Sequence, residues 1–166
     1  MRRGIRIGVD LGAVRIGIAR SDPDALMAVP VQTLPGGEPA EVAGVLCRIA
    51  AEFEAIEIVV GLPRSLSGND GAAAQRVRRY ADVIARRAAP IPVRLVDERM
   101  TTVTATRSLR EAGVRGPGSR RVVDQVAATV ILQAALDGER ISGRPAGALV
   151  PVESPVIDDD QEAGTQ

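Results

Sequence analysis

The 166-residue chain contains no histidine, no lysine and no tryptophan, and only one Phe (Phe53), one Tyr (Tyr80) and one Cys (Cys47). Without histidine there is no imidazole base, no Ser-His-Asp or Cys-His nucleophilic system and no His-ligated zinc. Any catalysis rests on carboxylates, metal ions, arginine or hydroxyls. The near-absence of aromatic rings argues against a stacking platform for a run of unpaired bases. A single cysteine builds no disulfide framework. It lies in an apolar helical pattern, where it reads as a small core residue, and its isolation fits a reducing cytoplasm. No apolar run approaches the length needed to cross a membrane or to serve as a secretory signal, so a soluble, cytoplasmic protein is expected.

The formal charge is zero, but every cation is arginine, and five of the acids fall between Glu153 and Gln166. Without that segment, 21 Arg stand against 16 acids, a net +5 for the body of the chain. Arginine suits bidentate phosphate contacts, although GC-rich coding produces the same bias. So small an excess predicts weak intrinsic affinity for nucleic acid, with a partner or an assembled particle helping to position substrate.

What is present is organised around Ile5 to Arg20. Ile5, Ile7 and Val9 alternate with Arg6, Gly8 and Asp10, and Ile16 and Ile18 alternate with Gly17 and Ala19. This is the period of a β-hairpin with one buried face, hinged on Gly12 to Arg15. Asp10 is out of place, because a carboxylate inside an apolar strand needs a hydrogen-bond partner, a cation or a metal. Gly8, Gly12 and Gly17 leave little bulk around it, so a ligand could approach closely.

Further along, Asp-Pro-Asp turn chemistry follows Ser21, and Val29–Leu34, interrupted by Pro30, predicts a third, edge strand. Val42, Val45, Leu46, Ile49 and Phe53 predict a helix over Ala40–Glu54, followed by a strand at Ile56–Val60. Gly61–Gly71 is a loop at that strand's carboxyl end, where open α/β sheets commonly line a ligand crevice. Ala72–Ala89 is a helix whose Arg76, Arg79, Arg86 and Arg87 read as a solvated basic face. Val93–Val96 is a strand running into Asp97-Glu98-Arg99. A helix is expected over Thr101–Ala112, and a Gly/Pro/Arg loop over Gly113–Arg121 that serves as a substrate clamp or as plain surface. Val122–Leu136 is a final apolar helix. Asp124, Ala128, Ile131 and Ala135 share one face of it, so an acid sits on the inward side near its start, where the helix dipole also favours an acid.

Asp10, Glu98 and Asp124 each have an innocent explanation. Glu98 pairs with Arg99, Asp124 favours the helix dipole, and Asp10 is a hydrogen-bonded buried acid. Brought together at one sheet edge, they require cations between them. All-oxygen ligands select Mg²⁺ or Mn²⁺, ions that support phosphodiester hydrolysis without histidine.

Four blocks now carry a family resemblance: Val9-Asp-Leu-Gly-Ala-Val-Arg-Ile-Gly17, Val60-Gly-Leu-Pro-Arg64, Asp97-Glu-Arg-Met-Thr-Thr102 and Val123-Asp-Gln-Val-Ala-Ala128. Their order and spacing over residues 5 to 137 resemble the YqgF family of RuvX-like nucleases. The resemblance implies an α/β, RNase H-like fold: a five-stranded mixed sheet, three strands antiparallel and then two parallel, with helices on both faces. It implies that Asp10, Glu98 and Asp124 are catalytic, metal-binding acids served by Mg²⁺ or Mn²⁺. It further implies a cytoplasmic hydrolase of phosphodiester bonds, acting in 5′-end processing of precursor 16S rRNA during ribosome biogenesis. Holliday junction resolution on branched DNA is the alternative. Arg15, Arg64, Asn69 and Arg99 fall in or beside matched blocks and are candidate substrate contacts. So are Arg120 and Arg121, where family members carry lysines.

Residues 1–140 are expected to form the nuclease domain and residues 141–166 a flexible acidic tail. The expected partner is precursor rRNA or a ribosomal particle, with no membrane, for a monomer or homodimer. Two other classes compete. The Asp-Leu-Gly block also resembles the phosphate-binding hairpin of actin- and hexokinase-type ATPases, but those need two lobes and leave Glu98 and Asp124 unexplained. A non-catalytic RNA-binding or ribosome-assembly module is the other.

Overall fold

The computed structural model describes residues 1–65, 67–100 and 117–153, with the backbone alone at Met100 and residues 117–122. Among the described residues six strands form one sheet: β1 (Arg6–Leu11), β2 (Arg15–Ser21), β3 (Ala28–Pro35), β4 (Glu57–Leu62), β5 (Val93–Asp97) and β6 (Ala148–Leu149). The order across the sheet is β3-β2-β1-β4-β5-β6. β2 is antiparallel to both β1 and β3, and β1, β4 and β5 are parallel. The expected mixed topology is therefore present, with one strand more than expected. β6 adds to the β5 edge through the pairs Arg94–Leu149 and Leu95–Ala148.

Helices α1 (Pro39–Glu52) and α2 (Ala72–Ala88) cover one face, and α3 (Pro117–Ser142) covers the other. Pro39 starts α1 at a first-turn position, where its missing N–H costs nothing. The α1/α2 face packs a branched aliphatic core that includes Ile7, Val9, Ile16, Ile18, Leu46, Ile58, Val60 and Ile84. The α3 face is built from smaller residues, with Ala19, Ala28, Val59, Ala127, Ala128, Ile131 and Leu132 buried together. All six residues of β1 are buried, so this strand is covered on both faces and not on one. β3 alternates between half-buried and exposed, as an edge does, and carries a bulge where Ile18 pairs with Gln32 but Ala19 with Pro30.

Glycines set the distance between α3 and the sheet. A Cβ at Gly8 would lie 2.6 Å from Leu132 Cβ, one at Gly61 2.5 Å from Ile131 Cδ1, and one at Gly17 2.0 Å from the Asp124 carbonyl oxygen. These residues cross β2, β1 and β4 as a track on which the helix rests. At the amino end of β1 the same face is locked by charge. Arg6, 1 % exposed, bonds Glu139 at 3.1 Å, and Arg2 bridges Glu139 at 2.9 Å and Glu57 at 3.0 Å. Arg94 reaches Glu57 at 3.1 Å.

The last helix is longer at both ends than its apolar pattern predicts. Residues 117–121, expected in a loop, are helical, because proline and glycine are tolerated in a first turn. Gly138 does not end the helix. Gly143, at φ +70°, takes the left-handed capping conformation, and its N–H bonds the Glu139 carbonyl. Residues 141–153, assigned by composition to a tail, continue the fold as the end of α3 and β6, with Val150 buried. The expected helix over Thr101–Ala112, residues 113–116 and the acidic segment from Ser154 onward lie outside the described residues.

Candidate active site

Side-chain alternation along β1 places Arg6, Gly8 and Asp10 towards α3 and Ile7, Val9 and Leu11 towards α1 and α2. Asp10 is therefore on the α3 face at the carboxyl end of the central strand, 1 % exposed. Its partner on β2 is Gly17. On the other side Val9 pairs with Val60, which brings Gly61 alongside Asp10.

Each flanking glycine lies beneath another acid. The backbone of Asp124 passes over Gly17, and a Cβ at Gly61 would stand 2.7 Å from Glu98 Oε1. Glu98 begins a short 3₁₀ turn directly after β5, and Asp124 projects from α3; both are 3 % exposed. Because α3 starts at Pro117, Asp124 lies seven residues in, about two turns from the terminus. A first-turn dipole role is thereby removed, and the buried position needs another explanation. The three acids thus share one face and one end of the sheet. Each is engaged by a partner, and among the described residues no three His, Cys, Asp or Glu side chains already stand together as a metal-holding group.

Arginines border these acids. Arg15, at the start of β2, donates from Nε to Asp124 Oδ2 at 2.8 Å. Arg99 donates to Asp97 from Nε at 3.1 and 3.0 Å and from Nη2 at 2.6 Å. Arg64 lies 3.7 Å from Asp97 and 3.4 Å from Asp70, and also bonds the Gly68 carbonyl. Arg78 completes the ladder on Asp70 at 2.6 Å. Hydrogen bonds from the Arg99 side chain hold the Asp97 carboxyl below the usual carboxylate range, and Arg78 does the same for Asp70. Asp70 and Arg78 carry no sequence signal for this place, and Asp97 carries only its position at the head of the block Asp97-Glu-Arg-Met-Thr-Thr102.

Asn69 is exposed, and its backbone N–H bonds Ser65 Oγ at 3.2 Å, a contact within the segment that follows β4. Arg120 and Arg121 are on the first turns of α3, and their side chains lie outside the described residues. Cys47 is half-buried between the helices, and burial pushes its thiol pKa up, which suits packing and not nucleophilic chemistry.

A family model described as "RuvX: Holliday junction resolvase" matches residues 4–138. The chain belongs to the RuvX family. A RuvX relative from Streptomyces coelicolor, named "Putative pre-16S rRNA nuclease", is 55 % identical over 152 residues, covering 92 % of this chain and 91 % of its own. A relative of the same name from Mycobacterium tuberculosis is 52 % identical over 140 residues, covering 84 % and 82 %. Among solved structures, Thermus thermophilus RuvC in complex with a Holliday junction substrate superposes with a TM-score of 0.58 at 15 % identity, covering 86 % of this chain and 98 % of RuvC. RuvC alone superposes with a TM-score of 0.54. These superpositions show that the RuvX chain has the RuvC type of RNase H-like fold.

Carboxylate oxygens are the donors that a hard divalent cation takes, and Gly17 and Gly61 lie beside these acids, where a Cβ would intrude on the Asp124 backbone or on Glu98. No helix among the described residues is long and apolar enough to cross a membrane.

Proposed function

We propose that the protein is a metal-dependent nuclease that hydrolyses phosphodiester bonds in precursor 16S rRNA, with Asp10, Glu98 and Asp124 as the residues that hold Mg²⁺ or Mn²⁺. The observation that carries the reading is that Asp10, Glu98 and Asp124 are each buried at the carboxyl end of the sheet on its α3 face, beside Gly17 and Gly61, in a chain of the RuvX family. A divalent ion there supplies Lewis-acid polarisation of the phosphodiester and eases deprotonation of water near neutral pH.

The chain's own residues divide the remaining work. Asp10 presents its carboxylate from β1, a strand buried on both faces. Arg15 neutralises and orients Asp124 until substrate and ion arrive. Arg64 and Arg99, held at the ends of β4 and β5 by Asp97, present guanidinium donors to the phosphates beside the scissile one, and Arg120 and Arg121 extend that contact. Asn69 supports the loop that carries Arg64. Cytoplasmic action follows from this substrate.

Cleavage of end-labelled single-stranded RNA, precursor-rRNA-like RNA and four-way DNA junctions, with Mg²⁺ or Mn²⁺, tests the reading. Wild type is compared with a folded Asp10→Asn variant. RNA cutting that the variant loses supports it. Junction-only cutting transfers the assignment to a resolvase, and equal activity of the two proteins refutes the carboxylate site.

A further inference from the structure

We infer that the cavity between the β1–β2 turn and the start of α2 is a subsite for one unpaired nucleotide next to the scissile phosphate, an assignment that rests on the nuclease reading. The cavity measures about 450 Å³, and its walls include Leu11, Gly12, Ala13, Pro63, Ala73 and Arg76. That volume is within the range of roughly 300 to 1,000 Å³ typical of small-molecule sites. Its position names the occupant. Gly12 is two residues past Asp10, at most about 7 Å along the chain, and Pro63 directly follows the carboxyl end of β4. The cavity lies on the α1/α2 side of the sheet whereas Asp10 faces α3, so a strand with one phosphate at Asp10 reaches it by passing round the carboxyl edge of the sheet, over the β1–β2 turn.

The lining matches that ligand. Leu11, Ala13, Pro63 and Ala73 supply aliphatic walls for a base or ribose, and Val14, next to Ala13, is 71 % exposed at the tip of the turn. Arg76 supplies the charge. Its Nη1 donates to the Leu11 carbonyl at 3.1 Å and its Nη2 to the Gly12 carbonyl at 3.0 Å, and its guanidinium carbon lies 4.7 Å from the centre of the Tyr80 ring. The guanidinium is thus fixed at the cavity wall, with donors left over from its five for a base edge or a phosphate. In a chain too poor in aromatics for a stacked array, a single slot of aliphatic walls and one guanidinium plane is the available way to hold a base. A base paired in a duplex cannot enter between turn and helix, so the cavity selects substrates unpaired at this position.

The test is an amide NMR titration of the ¹⁵N-labelled full chain, without metal, using a single-stranded hexaribonucleotide and the same oligomer made abasic at each position in turn. Wild type is compared with Ala73→Phe, which fills the cavity from an exposed first-turn position, and with Asp10→Asn. Shifts of Gly12, Ala13, Ala73 and Val77 are expected in wild type and in Asp10→Asn. A loss of affinity of at least fivefold is expected in Ala73→Phe and for one abasic position. Absent cavity shifts, or shifts indifferent to both Ala73→Phe and the abasic series, overturn the inference. Asp10-dependent cleavage without cavity shifts removes the subsite and leaves the nuclease standing. Cavity shifts without any metal-dependent cleavage remove the nuclease and leave a nucleotide-binding site.

Discussion

Replacing Gly17 and Gly61 by alanine separates what holds the site together from what performs its chemistry. At Gly17 the new Cβ would lie 2.0 Å from the Asp124 carbonyl oxygen and 2.5 Å from its carbonyl carbon. Backbone cannot rotate aside, so α3 or β2 must shift, an overpacking that costs about 1–3 kcal/mol. For a chain of this size that lowers Tm by about 2 to 12 °C. At Gly61 the contacts are Ile131 Cδ1 at 2.5 Å and Glu98 Oε1 at 2.7 Å, both ends of flexible side chains. They yield, so Gly61→Ala costs about 1 kcal/mol or less, partly offset by the lower chain entropy of alanine. What it displaces is the Glu98 carboxylate. Calorimetric unfolding together with Mn²⁺ titration of cleavage reads both effects. Gly17→Ala should lose stability and activity together. Gly61→Ala should keep Tm within about 4 °C of wild type while losing at least tenfold in kcat/KM, with a raised metal midpoint. A Gly17→Ala protein as stable as wild type would refute the close approach of α3. An unchanged metal midpoint in Gly61→Ala would refute the role of Glu98.

Other outcomes follow from single contacts. Hydrogen bonds from Arg2 hold the Glu139 carboxyl at about 2, against 4.5 when unperturbed. The folded pKa is depressed, so this stabilisation is present above about pH 4.5 and is lost as pH falls towards 2, an effect of about 3 kcal/mol. Glu139→Gln should flatten the acid limb of the stability curve and lower neutral stability by a similar amount, measured by urea unfolding across pH. Arg15→Gln removes the guanidinium paired with Asp124, which on the proposed metal site would compete with the ion for that carboxylate. The Mn²⁺ midpoint should fall about two- to fivefold, as expected for a partly exposed ion pair, and an increase would contradict the assigned role. Val150→Asp places a carboxylate at a position that is 5 % exposed, and about 2–4 kcal/mol of destabilisation should follow if β6 is an integral part of the sheet.

Features with a local cause could be read from sequence. The β1–β2 hairpin, the Pro30-interrupted edge strand and both helices of the aliphatic face stand within a few residues of where periodicity places them. Asp10 was conspicuous because its neighbours are apolar, and Asp124 because it shares a face with Ala128 and Ile131. Features set by distant contacts could not be read. β6 is two residues long, and Ala148-Leu149 becomes a strand only because the β5 edge and Arg94 stand ready to receive it. Glu57 and Glu139 look like ordinary surface acids until the fold brings Arg2, Arg6 and Arg94 between them. Gly138 and Pro117 misplaced the ends of α3, because neither residue is forbidden where it lies. The true stop is Gly143, at φ +70° with Pro145 two residues on, a glycine-then-proline signal that lies beyond the end of the apolar periodicity.

The composition also explains how one long helix positions one acid. A layer filled with large side chains would hold α3 away from the sheet, whereas Gly8, Gly17 and Gly61 let its backbone rest on three strands. Close contact alone would leave the helix free to slide along the track. The buried pairing of Arg6 with Glu139, at the other end of the same face, fixes its register. Breaking such a buried pair by removing one partner costs about 3–5 kcal/mol, enough to resist a shift of one residue. Asp124 is therefore placed by two separate agents. The glycine track sets its height above Gly17, and the arginine network about four turns away along α3 sets its position along β1. Loss of the network should reduce stability before it alters the chemistry, whereas a change in the track should alter both together.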